Sequence, residues 1–332
     1  MPNILLSSVG RRVELARQLR LAYDRLGLFG RIIGTDIDWL APAFQEVDEP
    51  ILVPRFSSKD YLPTLLKVCR DQQVDAIYPL HDGDLVVLSQ FREEIESTGA
   101  RLAVVEQPAA ELCGDKLLTQ DFFRQLGLPF ARYWTPDQLP PLNELEFPLF
   151  IKPRNGSAAE NTFRINSSRE LEFFVEYVPN PIIQEFLPGP EVTTDVICSL
   201  DGKVMATASR QRIAVRGGEA IKSVTIHDER ITQACHDIAE KLPARGPFTV
   251  QCMMRDDVPH FIEINARMGG GIPLAIAAGV DVGGLLLSDL AGLSISGLQT
   301  TAEAGVYMTR CDESFFLKEN ARDLPASRHI RS

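Results

Sequence analysis

The stretch His260-Phe-Ile-Glu-Ile-Asn-Ala-Arg267 reads as a β-strand whose side chains alternate between two faces. Phe261 and Ile264 are apolar, with Ile262 packed between them, while Glu263, Asn265 and Arg267 fall at i, i+2 and i+4 on one face. A carboxylate, an amide oxygen and a guanidinium in one row suit a Mg²⁺–phosphate site. Hard Mg²⁺ takes oxygen ligands, and arginine grips phosphate oxygens. Asp256-Asp257 separates this strand from another over residues 249–255, which predicts a hairpin. Hairpin pairing brings Gln251 toward the same face as a further oxygen ligand. Alone, the row describes better the solvated polar face of an edge strand.

Residues outside the strand change that balance. Ile151-Lys152-Pro153 ends an apolar strand over residues 147–152, and a lysine flanked that way is rarely mere surface solvation. Asn155-Gly156-Ser157-Ala158-Ala159 follows, a small-residue loop able to lie close over phosphates. Gln184-Glu185-Phe186-Leu187-Pro188-Gly189-Pro190-Glu191 ends another strand. There, backbone groups can read a purine edge, apolar side chains can cover its faces, and a downstream glutamate can hold ribose hydroxyls. Arg210, Arg212 and Arg216 precede Gly217-Gly218, and Lys222 comes soon after. They read equally well as a grip on a substrate anion or as a basic, solvated strand and loop. Gly269 and Gly270, just beyond Arg267, are read as places where backbone N–H groups approach an anionic substrate.

The first third has a different rhythm. Strands over residues 3–9, 31–37, 50–54, 76–80 and 101–105 alternate with helices over 11–26, 60–72 and 84–97, which predicts right-handed crossovers and a parallel sheet. Ser7-Ser8-Val9-Gly10-Arg11-Arg12 opens a helix after a strand, but it is neither a dinucleotide fingerprint nor a P-loop. A tight turn, with Asp36 as a capping residue, is the plainer reading. His81-Asp82-Gly83-Asp84 lies at the C-terminal end of a parallel strand, where such sheets bind ligands, though Asp84 also reads as a helix cap.

The chain has 332 residues, which suggests about two or three domains. Its formal charge of −11 makes nucleic acid a poor partner. No apolar run is long enough for a membrane helix, so no membrane role is expected. Six cysteines lack any C-x-x-C pair or zinc spacing, which predicts reduced thiols and a cytoplasmic protein.

The ordered set Lys116, Lys152, small-residue loop, Glu185-Phe186-Leu187, Glu191, Gln251, Glu263-x-Asn265-x-Arg267 resembles the ATP-grasp superfamily. It most resembles one synthetase half of the carbamoyl-phosphate synthase large subunit. The resemblance implies an α/β and α+β chain. Residues 1–107 would form a parallel-sheet, Rossmann-like pre-ATP-grasp domain. Residues 108–188 would form a small lid subdomain, and 189–320 an antiparallel-sheet C-terminal subdomain with the metal and phosphate site. Residues 321–332 are expected to fray.

The resemblance also implies roles. Lys116 and Lys152 would neutralise ATP phosphates. Glu185, Phe186 and Leu187 would frame the adenine, and Glu191 would bind ribose. Glu263 would bridge two Mg²⁺ ions (Mn²⁺ as a substitute), with Gln251 and Asn265 as further ligands. Arg267 would stabilise the transferred phosphoryl group, as the catalytic residue. The implied function is an ATP-dependent ligase that activates a carboxylate as an acylphosphate for attack by an amine. Its partners would be those small-molecule substrates, and a homodimer is compatible with the sequence. The loop after Lys152 departs from the family's glycine run and carries Glu160. That departure favours a rival reading, a regulatory module that holds ATP without turning it over.

Overall fold

The computed structural model describes residues 2–156 and 160–318. Ser157, Ala158 and Ala159 of the expected small-residue loop, and the expected frayed tail at 321–332, lie outside the described residues.

Five parallel strands, β1 (Ile4–Ser7), β2 (Ile32–Asp36), β3 (Glu49–Leu52), β4 (Ala76–Pro79) and β5 (Arg101–Leu102), form one sheet in the order β3-β2-β1-β4-β5. β1 is fully buried, as expected where helices cover both faces. Helix Val13–Leu26 buries Val13, Leu15, Ala16, Leu19, Ala22 and Tyr23 and stops at Gly27, which takes the left-handed cap at φ +63°. The helix expected over 84–97 is in fact two, Asp82–Gln90 and Arg92–Glu96. The break at Phe91 turns Arg92 inward, where its guanidinium donates to the carbonyls of Leu102 and Val105 at 3.2 and 3.3 Å.

Four antiparallel strands follow, β6 (Tyr133–Trp134), β7 (Leu149–Pro153), β8 (Phe163–Ile165) and β9 (Pro181–Glu185), in the order β6-β9-β7-β8. Helix Ser168–Tyr177 packs Leu171 into the small core of Leu149, Ile151, Ile165 and Ile183. The sequence reading contains no such helix. Ser167 caps it, its hydroxyl accepting from Glu170 N at 3.3 Å, and the Glu170 side chain reaches back to Asn166.

The third sheet holds β10 (Glu191–Cys198), β11 (Val204–Arg216), β12 (Glu219–Ile226), β13 (Phe248–Arg255), β14 (Val258–Asn265) and β15 (Tyr307–Thr309), in the order β14-β13-β10-β11-β12-β15. The predicted hairpin is β13–β14. Asp256 and Asp257 both take positive φ, +51° and +61°, which suits a two-residue turn between twisted strands. β15 is absent from the sequence reading, because three residues carry too little pattern. Among the described residues, no helix is long and apolar enough to cross a membrane.

Candidate active site

The edge pair β13–β14 carries the row that opened the sequence reading. Gln251 stands directly across from Glu263, and Thr249 across from Asn265. The register then shifts between Gln251 and Cys252, so Ile262 is left unpaired and its carbonyl accepts from Gln120 Nε2 at 3.1 Å. The bulge sets the phase of the last residues, so Glu263 and Asn265 are half-buried while Ile264 is buried. Gln251 Nε2 donates to Glu191 Oε1 at 2.9 Å, and Asn265 Nδ2 reaches Gln251 Oε1 at 3.5 Å. Arg267 follows the strand and donates to Asn265 Oδ1 at 3.3 Å. One connected row therefore runs Glu191, Gln251, Asn265, Arg267.

Lys152 on β7 faces this row from the four-stranded sheet. It is buried, and burial first, then Lys116, push its amine down from the ordinary 10.5 to about 8, against the pull of Glu263 and Glu191. Among the described residues, neither the Lys152 amine nor the Glu263 carboxylate has a hydrogen bond or an opposite charge within 4.0 Å. Two opposite charges thus sit in one place without pairing. A buried charge left that way is costly unless something else satisfies it.

Lys116 is brought to Lys152 by residues that sequence reasoning passed over. Asp115 caps helix Lys116–Gln125, accepting from Leu117 N and Leu118 N at 2.9 and 3.3 Å. Arg154 then clamps the Asp115 carboxylate through Nε at 2.7 Å, and Lys116 N donates to Arg154 O at 3.0 Å. The Lys116 amine ends on Gly156 O at 2.7 Å. An Asp immediately before a helical run was the available signal for this joint.

Other expected residues have structural partners. The Glu185 carboxylate accepts from Arg132 N, Arg132 Nε and Arg255 Nη1 at 2.9, 3.1 and 3.2 Å. Burial alone would raise its pKa, but the bonds from Arg132 and the charge of Arg255 hold it lowered. The side chain fastens β9 to β13, and the backbone of the segment remains the part that can face a ligand. Arg164 lies over the Phe186 ring at 4.6 Å, and Leu187 is buried.

The arginines expected on the substrate side have protein partners as well. Arg212 is directly across from Glu191, pairs with its carboxylate, and donates to Gly218 O at 2.7 Å. Its charge is spent on Glu191, not held free for a substrate. Arg216 is exposed and paired with Asp312 at 2.6 Å, and Lys222 is exposed on β12. The β11–β12 hairpin carries both to its outer part. Gly269 and Gly270 also have a different cause. A Cβ at Gly269 would meet Asp195 Oδ1 at 2.6 Å, and one at Gly270 would meet Arg12 Nη1 at 2.2 Å. The glycines are there because charged side chains lie against this turn.

One of those charges is a buried pair, Arg210 with Asp195, which joins β11 to β10. The other, Arg12, comes from the first sheet. Asp82 comes from that sheet too, and pairs with Arg267 Nη2 at 2.8 Å. By contrast, Asp36 ties two turns, accepting from Gly10 N after β1 at 2.8 Å and from Asp38 N in its own turn at 3.0 Å; it does not cap helix Val13–Leu26, which has no side-chain cap bond. Asp84 is no cap. It accepts from the Ser7 and Ser8 hydroxyls at 2.9 and 2.7 Å, and its pKa is raised by burial against those bonds. The cap is His81, whose Nδ1 accepts from Gly83 N at 3.0 Å.

Residues 178–313 match the family model described as ATP-grasp in the biosynthetic pathway with Ter operon, and residues 4–103 match a PylC-like N-terminal domain. Residues 178–313 are thus similar to an ATP-grasp domain. Two curated relatives agree with that assignment. Carbamoyl-phosphate synthase of Methanobrevibacter smithii is 22% identical over 240 residues, covering 67% of this chain and 64% of the relative. The 3-methyl-D-ornithine–L-lysine ligase of Methanosarcina barkeri is 23% identical over 207 residues, 62% of this chain and 53% of the relative. The chain thus spans less than two thirds of either. In fold it is similar to N5-carboxyaminoimidazole ribonucleotide synthetase from Thermus thermophilus, with a TM-score of 0.71, 19% identity, and coverage of 91% of this chain and 81% of that one.

The Glu263 row of the six-stranded sheet lies against Lys152 of the four-stranded sheet. Its donor set is one carboxylate, Glu263, with two amides, Gln251 and Asn265. Among the described residues, no three His, Cys, Asp or Glu side chains gather elsewhere as a metal site. A sparse oxygen set of this kind suits Mg²⁺, which keeps waters and substrate phosphates as its other ligands. The unpaired amine of Lys152 beside an unpaired Glu263 fits a magnesium–phosphate partner, since phosphate meets the first charge and cation the second.

Proposed function

We propose that this chain is an ATP-dependent ligase of the carboxylate–amine type. The observation that carries the reading is the buried Lys152 amine opposite the Glu263 carboxylate, both unpaired among the described residues, with Lys116 alongside. Lys152 and Lys116 hold the triphosphate. The backbone of residues 185–187 edges the adenine, with Leu187 and the Arg164-covered Phe186 enclosing it. Glu191, kept in place by Arg212 and Gln251, takes the ribose hydroxyls. Glu263, Asn265 and Gln251 hold Mg²⁺, as two ions or as Mn²⁺ in its place, and the bound cation supplies charge neutralisation between the phosphates.

The reaction asks little covalent work of the protein. A carboxylate oxygen attacks the γ-phosphorus, the bond to the β,γ-bridging oxygen breaks, and ADP leaves an acylphosphate. An amine then attacks the acyl carbon and expels inorganic phosphate. Arg267 meets the charge on the transferred phosphoryl oxygens, and Asp82 aims it. The relatives named above support the class, since one is by name a ligase of 3-methyl-D-ornithine and L-lysine.

ADP release should be measured with Mg²⁺ across a panel of carboxylates, each with and without amino acids. For any acid that supports release, ¹⁸O in its carboxylate should appear in the inorganic phosphate. ADP release without isotope transfer would defeat the acylphosphate step. Tight ATP binding with no ADP release from any pair would favour the regulatory module.

A further inference from the structure

Three arginines that no motif links meet beside the glycine turn after β14. Arg12 comes from the turn after β1, Arg267 follows β14, and Arg310 follows β15. Their side chains are 18%, 16% and 18% exposed, so all three are largely out of water. Arg12 has Glu219 at 3.7 Å, and Arg310 has the same glutamate at 3.6 Å. Arg267 has Asp82 at 2.8 Å. Arg310 also lies 3.6 Å from the exposed Glu14, while the exposed Arg11 takes Glu219 at 3.3 Å, so these two outer charges cancel. Among the described residues, these three guanidinium groups and Arg11 therefore share three carboxylates, Glu219, Asp82 and Glu14, of which Glu219 is a third exposed and Glu14 more than half.

Hydrogen bonding is as incomplete as charge. The Nε atoms of Arg267 and Arg310 are buried without a partner among the described residues, and the Arg12 ion pair is too long for a hydrogen bond. Arg310 does donate through Nη2 to Gly270 O, which anchors it at the turn without neutralising it. Burial first, then Arg267 and Arg310, lower Arg12 to about 10, against Glu219 and Asp82. The arrangement works against itself as a purely structural device, because like charges repel and buried donors go unmet. Gly270, whose missing Cβ leaves room for Arg12 Nη1, keeps the guanidinium at the turn instead of in solvent.

We propose that Arg12, Arg310 and Arg267 form an oxyanion site for a carboxylate or phosphate group that the substrate carries apart from its reacting acyl group. This deepens the ligase reading and rests on it for the word substrate. An anion here would supply the missing charge and accept from the under-used guanidinium nitrogens, in the two-pronged geometry that arginine favours. The acid or the amine joined by this enzyme would then be a compound with at least one further anionic group. Arg267, shared by both sites, places that group next to the transferred phosphoryl.

The test is direct binding of anions to the full chain, held apart from turnover. Inorganic phosphate and succinate are titrated by calorimetry at low ionic strength, with saturating ADP and Mg²⁺ present to cover the nucleotide phosphates. Wild type should bind at least one of them saturably, and Arg12→Gln and Arg310→Gln should each weaken it about tenfold or more, the loss of one charge-assisted contact. ADP affinity should stay within about twofold in both variants, because neither residue touches nucleotide. Saturation by phosphate alone assigns a phosphate group, and by succinate alone a carboxylate. Neither probe binding, or binding indifferent to both variants, overturns the proposal. If neither variant folds, phenylglyoxal labelling of wild type decides: the probe must protect Arg12, and labelling unchanged by the probe overturns it. Failure of the ligase reading would show separately, as ADP that does not bind or a Lys152→Met variant that binds it normally.

Discussion

Lys152 concentrates the chemistry of the cleft in one side chain. Its folded value of about 8 lies below the ordinary 10.5, so between those values the unfolded chain binds the extra proton. This group therefore makes the ligand-free protein more stable as pH rises through that window, and less stable as pH falls toward 8. Phosphate near the amine restores the charged form. ATP binding at about pH 9 should take up a proton, approaching one per nucleotide. Calorimetry in buffers of different ionisation enthalpy measures it, and uptake that persists in Lys152→Met would contradict the assignment. The same variant should bind ATP about ten- to a hundredfold more weakly, while adenosine binding changes little. Strand alternation put Glu263 and Asn265 on one face but, taken alone, read that face as a solvated edge; Lys152 stood out because a charge flanked by apolar residues in a strand leaves a local mark. Arg12 and Arg310 were not, since their significance comes from a meeting of distant segments. The pairing of Arg212 was hidden for the same reason: its partner, Glu191, is across a strand pair that sequence order does not display.

Elements place these residues through turns more than through strands. Gly189 joins β9 to β10 at φ +123°, and a Cβ there would meet Met254 O at 1.9 Å. Both the backbone conformation and the close approach demand glycine. Gly189→Ala should cost about 2–4 kcal/mol by denaturant unfolding, from backbone strain and overpacking together. A loss under about 0.5 kcal/mol would mean that the connection is not the rigid joint described here. The β13–β14 hairpin was readable because Asp256-Asp257 separates two runs rich in apolar residues. Its bulge at Ile262 was not, because a bulge depends on what the partner strand does. The same limit hid β15 and the two-residue β6, which exist only through pairing.

At the scale of the whole molecule, the parallel sheet supplies more than a platform. Asp82, at the C-terminal edge of β4, aims Arg267 across the cleft. Asp82→Asn should therefore lower kcat about tenfold while ATP affinity stays within about twofold, once a substrate pair is in hand. An equal loss in both would make Asp82 a support for the fold instead. The strand–helix alternation made this sheet legible, and the motif order made the ATP-grasp sheets legible. The contact between them was not, because nothing in either pattern states which edge meets which.

In the proposed ligase, Glu263 and Lys152 divide one magnesium nucleotide between them. The most direct measurement is ATP affinity with and without Mg²⁺ in wild type and in Glu263→Gln. Wild type should bind ATP at least about tenfold more tightly with Mg²⁺ than without it. Glu263→Gln, still folded, should lose most of that dependence, because the charge that recruits the cation is gone. A variant that keeps the full magnesium dependence would contradict the account.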